Sequence, residues 1–288
     1  KIINGIPDWV NEEEFMTNCS YDFSADSKVI AYIKYDESNV MMYDMPMYTT
    51  GSDNANYDNF CKPYSFKYPV AGADNSKISV HSFDIKSKVT RKLDVNIPEE
   101  GYIPRIKFTK NPDMLAVITL NRHQSVLEIQ AVNPLSGVSR TIMREESDTY
   151  LNEQTYAGIE FLDNNFVFQS GRSGYNHLYL YTLNGELVRP ITKGEYEVKH
   201  FYGWDSKKNE YYYSSNEGSP LREHIYKVNA KGKKTKLTAN EGTNKAVFSA
   251  GMKYFINTYS SINTPHVVTT NSNNGKTIKT LIDNSNLK

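Results

Sequence analysis

The octet Asp8-Trp9-Val10-Asn11-Glu12-Glu13-Glu14-Phe15 holds the residues of this chain best suited to bind a charged group. Three consecutive carboxylates repel one another, and the repulsion costs least where the run is solvated or meets a cation. Asp8, directly after Pro7, can act as an N-cap, and acidic residues in a first turn suit the helix dipole. A short helix would therefore carry the run. Adjacent helical side chains point roughly 100° apart. Two neighbouring glutamates can thus converge on one small cation while a third points elsewhere. A free peptide α-ammonium is such a cation, with three donors and a pKa of about 7.7–8.0. Two carboxylates would hold it by charge-assisted bonds and reject an uncharged amide nitrogen. Taken alone, the octet also reads as a solvated, acidic helix end.

The other chemistry-bearing residues do not assemble into a catalytic set. A serine hydrolase of the α/β type needs Gly-x-Ser-x-Gly between a strand and a helix. The nearest match, Gly171-Arg172-Ser173-Gly174-Tyr175, lacks the last glycine and falls within an expected hairpin, so it reads as a turn. Six histidines (His81, His123, His177, His200, His224 and His266) are scattered without metal-ligand spacing. No glycine-rich phosphate loop is present. His177 and His224 each open a His-x-Tyr pattern at the start of a strand, which favours a hydrogen-bonding role in a structural repeat.

The elements that must position the octet are short alternating segments recurring every 40–50 residues or so, a spacing that suggests propeller blades. The expected fold class is all-β, a β-propeller, with about five blades at roughly 17–97, 101–148, 156–197, 198–242 and 244–284. In the first, residues 23–33 form a hairpin turning at Ala25-Asp26-Ser27, and 78–85 and 89–95 complete the blade. The third and fourth blades match best. Each places His-x-Tyr before a strand, passes a Gly-containing turn, and exits at Ile191-Thr192 or Leu237-Thr238. Such blades bury their faces only against neighbours and so must stack. Residues 41–74 do not fit a blade; they are rich in Tyr, Asn and Asp and hold Pro46, Pro63 and Pro69. Loops that long are usually functional or mobile.

Several ordered segments carry a family resemblance. Phe23-Ser24-Ala25-Asp26-Ser27-Lys28, Ile30-Ala31-Tyr32 and Tyr35-Asp36-Glu37-Ser38 follow the acidic run. Tyr68-Pro69-Val70-Ala71-Gly72-Ala73-Asp74-Asn75 comes next, then Gly174-Tyr175-Asn176-His177-Leu178-Tyr179 and Thr192-Lys193-Gly194-Glu195-Tyr196-Glu197-Val198. Together they resemble the N-terminal propeller domain of the dipeptidyl peptidase IV family of serine peptidases, over essentially the whole chain. The family's propeller has eight blades, so the resemblance implies a fragment lacking about three leading blades and the α/β-hydrolase domain that follows. It implies a peptidase releasing N-terminal dipeptides with proline or alanine second, and no cofactor or metal. The second and third glutamates of the run bind the substrate ammonium in the family; here these are Glu13 and Glu14. The triad would lie outside this chain, and the fragment alone is expected to be inactive. An arginine that orients substrate in the family would lie upstream of Lys1. The resemblance further implies peptide substrates with a free N-terminus, contact with the hydrolase domain, a homodimer with contacts from the 41–74 excursion, and export to the periplasm. A propeller serving as a binding module in an inactive relative, or in a tripeptide-releasing one, is the alternative.

Composition narrows the remaining classes. With 33 basic and 33 acidic residues the net charge is zero, which gives no electrostatic case for nucleic acid or an anionic membrane. No run reaches about 18 apolar residues, so no membrane-spanning helix is expected. At 39% hydrophobic over 288 residues, many thin layers suit the chain better than one thick core. The 2 cysteines, Cys19 and Cys61, are 42 positions apart and could pair in an oxidising compartment, which spacing does not decide; they read first as free, buried thiols. Ile2-Ile3 reads as the end of a strand whose partners lie outside the chain.

Overall fold

The computed structural model describes residues 1–48 and 61–287, and contacts divide the chain into two compact units, Lys1–Leu151 and Asn152–Lys288. Both are built from the antiparallel sheets of a β-propeller, in an almost entirely β chain.

The first unit opens with β1 (Ile2–Asn4), α1 (Trp9–Phe15), β2 (Tyr21–Phe23) and β3 (Val29–Asp36). It continues with β4 (Met42–Met47), β5 (Lys62–Lys67), β6 (Lys77–Asp84) and β7 (Thr90–Lys92). Strand β3 alternates buried and half-buried residues along its whole length, the period-2 pattern of a strand packed on one face. Its one edge is shared: β1 pairs with Lys34–Asp36 and β2 with Ile30–Tyr32, while β6 takes the other edge. The partner of Ile2-Ile3 is therefore β3 of this chain, which corrects the expectation of an absent one. Strands β4 and β5 form a separate two-stranded hairpin within the 41–74 excursion, and residues 49–60 of it lie outside the described residues.

A second sheet follows, with β8 (Tyr102–Phe108), β9 (Leu115–Leu120), β10 (Val126–Val132) and β11 (Ser139–Glu146) in the order β11-β10-β9-β8. Its face packs on the first sheet through Ala31, Ile33, Tyr35 and Val80 against Ile103, Ile106, Leu115 and Val117. A buried leucine- or isoleucine-sized side chain contributes about 1.5–3 kcal/mol, so this shared layer is what fixes the two sheets together.

The second unit contains α2 (Glu153–Ala157) and three four-stranded sheets. These are β12 (Glu160–Phe161), β13 (Asn165–Ser170), β14 (His177–Thr182) and β15 (Leu187–Pro190); β16 (Val198–Asp205), β17 (Glu210–Ser215), β18 (His224–Asn229) and β19 (Lys234–Lys236); and β20 (Thr243–Phe248), β21 (Tyr254–Ser261), β22 (Thr264–Ser272) and β23 (Thr277–Ile282). The tyrosine run of β17 explains the stacking. Tyr211 and Tyr213 enter the core shared with the β12–β15 sheet, while Tyr212, pointing oppositely, enters the core shared with Phe255 and Ala246. A strand segment buried on both faces reads as an unbroken apolar run, here Tyr211, Tyr212 and Tyr213.

The His-x-Tyr repeat has a physical basis. Thr192 Oγ1 accepts from Leu178 N at 2.9 Å and sits 3.0 Å from His177 Nδ1. Thr238 Oγ1 does the same with Ile225 N at 3.1 Å and His224 Nδ1 at 3.2 Å. Since the Gly194 carbonyl can only accept, His177 Nε2 carries a proton and donates to it at 2.9 Å. Each strap ties the start of a third strand to the residues leaving the fourth.

Gly171-Arg172-Ser173-Gly174-Tyr175 is a turn between β13 and β14, closed by Gly174 N donating to the Gly171 carbonyl at 2.9 Å. Cys19 and Cys61 are free but exposed, not buried. Cys19 lies in the link from α1 to β2, where its Sγ donates to the Tyr21 carbonyl at 3.5 Å. Among the described residues no helix is long and apolar enough to cross a membrane.

Candidate ammonium-binding site

The acidic run occupies a detour out of the first sheet. The chain leaves β1 at Gly5, whose φ of 73° takes it through the left-handed region that glycine enters freely. It returns at Ser20, where Ser20 N donates to the Gly5 carbonyl at 2.9 Å and closes the neck. The intervening residues carry α1.

Asp8 caps that helix. Its extended backbone (φ −75°, ψ 173°) and a carboxylate accepting from Asn11 N at 2.9 Å meet the N-cap requirement. The same carboxylate accepts from Asn11 Nδ2 at 2.7 Å and from the Ser76 hydroxyl, so it also ties the helix to the strand entry at β6. Asn11 and Phe15, four residues apart, form the buried stripe. Phe15 is completely buried and packs on Tyr102 of β8 at 5.0 Å. With that stripe facing inward, Glu12, Glu13 and Glu14 are all exposed. The helix ends at Met16, a non-glycine residue in the left-handed region with φ 47°.

An aromatic cluster braces the outer side. Trp9 stacks on Phe66 of β5 at 4.3 Å between ring centroids and meets Tyr68 edge-on at 6.2 Å. Tyr43 of β4 packs on both Phe66 and Tyr68. Trp9 Nε1 donates to Glu13 Oε2 at 3.1 Å. The Tyr68 phenol is raised above its ordinary pKa by desolvation, by the charges of Glu13 and Glu14, and by its polar contact with Glu13. Among the described residues, no cation pairs with Glu12, Glu13 or Glu14. The pair is therefore adjacent, exposed and uncompensated, which is an arrangement able to receive a small cation. It stands on open surface. A cleft of about 430 Å³ lined by Asp74, Ser76, Glu99 and Glu100 lies instead at the Asp8 end of the helix.

Comparison with known proteins decides the family. The model of the dipeptidyl peptidase IV (DPP IV) N-terminal region matches residues 1–266. The chain belongs to this family. Dipeptidyl peptidase 4 of Trichophyton rubrum is 28% identical over 99% of the chain and 38% of its own length. Dipeptidyl peptidase 4 of Arthroderma otae is 29% identical over 91% of the chain and 35% of its own length. The crystal structure of Porphyromonas gingivalis dipeptidyl peptidase 4 superposes with a TM-score of 0.93 at 40% identity, over 99% of this chain and 40% of that one. The chain thus spans about two fifths of the length of these relatives, an N-terminal portion of a dipeptidyl peptidase IV-type protein.

Within that family frame, the two residues singled out from sequence, Glu13 and Glu14, share the exposed side of one short helix. Tyr68 was visible only as part of the Tyr-Pro landmark. Nothing in its local sequence announced a partner 55 positions earlier.

Proposed function

We propose that this chain is the substrate-gating, N-terminus-recognising propeller of a serine exopeptidase that releases X-Pro and X-Ala dipeptides from peptides. The observation that carries the reading is the adjacent, uncompensated pair Glu13 and Glu14 on a helix fixed by Asp8 and Phe15. In this reading the pair binds the substrate α-ammonium and acts as a ruler, setting the scissile bond two residues away. A peptide extended by one residue presents an uncharged amide there and forfeits both charge-assisted bonds.

The nucleophile, base and oxyanion hole come from an α/β-hydrolase domain outside this chain and follow the usual division of triad roles. The partners are then peptides with a free N-terminus, that domain, and a second copy meeting the exposed apolar side chains Met42, Met47 and Tyr64 of the β4–β5 hairpin. The setting is the periplasm. The test is Glu13→Ala and Glu14→Ala in the full-length protein. Each substitution is expected to cost about 2–5 kcal/mol in kcat/KM for a free-amine dipeptidyl substrate. Dipeptide release at the wild-type rate in the double variant would refute the anchor.

A further inference from the structure

We propose that Trp9, clamped by Phe66 and Tyr68, is the positioning residue that makes Glu13 the fixed half of the ammonium anchor and leaves Glu14 the adjustable half. The inference rests on the reading of Glu13 and Glu14 as that anchor. The two carboxylates are one residue apart in sequence but differ in their surroundings. Glu13 Oε2 receives the Trp9 indole N–H at 3.1 Å, across one helical turn. Among the described residues, Glu14 receives no hydrogen bond.

The donor is itself immobilised. Its ring lies on Phe66 with 26° between the planes and has the Tyr68 ring at its edge. Phe66 and Tyr68 are in turn held by Tyr43 across the β4–β5 hairpin, so the indole rests on a preassembled cluster. Such stacked and edge-on pairs have preferred geometries and resist rotation. An ionised carboxylate has about four lone-pair sites, so one indole bond fixes Glu13 without exhausting its acceptors. Ordering a free glutamate on binding costs rotamer entropy, and Trp9 removes that cost for Glu13 before substrate arrives. Glu14 retains its freedom and follows the small shifts in ammonium position that different first side chains impose.

The hairpin, which the sequence presents as an excursion, thereby reaches the binding carboxylate through two aromatic rings. Tyr68 adds to the effect: its hydroxyl end carries the polar contact with Glu13, and the charges of both glutamates act on it.

The experiment is a double-mutant cycle in the full-length protein, with Gly-Pro-p-nitroanilide as substrate. Trp9→Phe retains a ring over Phe66 and removes the N–H together with part of the indole's stacking area, a loss the cycle subtracts because it is common to both backgrounds. It is expected to raise KM about fivefold to tenfold with kcat within about twofold, the size of one ordinary hydrogen bond, as suits an exposed one. In the Glu13→Ala background the same substitution should change KM by less than about twofold, because nothing is left to position. Tyr68→Phe, which keeps the edge contact, is the second variant and should raise KM only while Glu13 is present. An unchanged KM in Trp9→Phe, or equal rises in both backgrounds, would overturn the proposal in favour of a purely structural role. If Glu13→Ala alone left KM unchanged, the anchor reading itself would fail and take the positioning role with it.

Discussion

Asp8 shows how much one side chain arranges at this site. It is 6% exposed, caps α1, and holds Asn11 and Ser76 through both carboxylate oxygens. Asp8→Ala removes the cap and leaves buried donors unpaired, and is expected to cost about 1–2 kcal/mol of stability. A denaturant titration with unchanged slope and a lower midpoint would register it. Met16 carries the opposite expectation. Its side chain is 71% exposed and its φ of 47° strains any residue with a Cβ. Met16→Gly should therefore stabilise the protein by about 0.5–1 kcal/mol, the left-handed strain relieved less the entropy glycine gains when unfolded. The acidic run itself was legible because charge and spacing are local properties. Its brace was not, because Phe66 and Tyr68 meet Trp9 only through tertiary packing, and an aromatic in a loop-like segment carries no mark of its partner.

At the scale of elements, the strap between histidine, threonine and backbone closes two successive blades in the same way. Thr192→Val keeps the shape of the side chain but withdraws a hydroxyl shared by Leu178 N and His177 Nδ1. Both are buried, so the substitution should cost about 1–3 kcal/mol. The equivalent change Thr238→Val should behave similarly, and equilibrium unfolding of the two variants compares them directly. This repeat was readable in the sequence because His-x-Tyr is followed by an exit Thr at nearly the same offset, 15 residues in one case and 14 in the other. Strand β11 was not. Its register with β10 shifts at Ile129, so that the consecutive residues Ile142 and Met143 are both buried and the period-2 pattern breaks. Helix α2, of 5 residues, is too short to show a period, and β1 was misjudged because its partner lies some thirty residues ahead in β3.

For the whole molecule, the tyrosine-rich composition and the repeat spacing foretold an all-β stack of blades. The family resemblance foretold more than periodicity could, since spacing alone does not say which propeller. The half-buried His81 and the buried His224 add a pH response. Burial first, then neighbouring cations, hold His81 and His224 below their ordinary pKa of 6.5. The unfolded chain therefore binds more protons than the folded one as pH falls through 6.5, and stability declines from there until the folded-state pKa is passed. The thermal midpoint should be lower at pH 5 than at pH 7.5; an equal or higher midpoint at pH 5 would oppose this. The central claim, however, concerns the α-ammonium. It is tested most directly by comparing kcat/KM of the full-length protein for Gly-Pro-p-nitroanilide and for its N-acetylated form. Glu13 and Glu14 as the anchor predict cleavage of the free-amine substrate alone, and equal cleavage of both would contradict it.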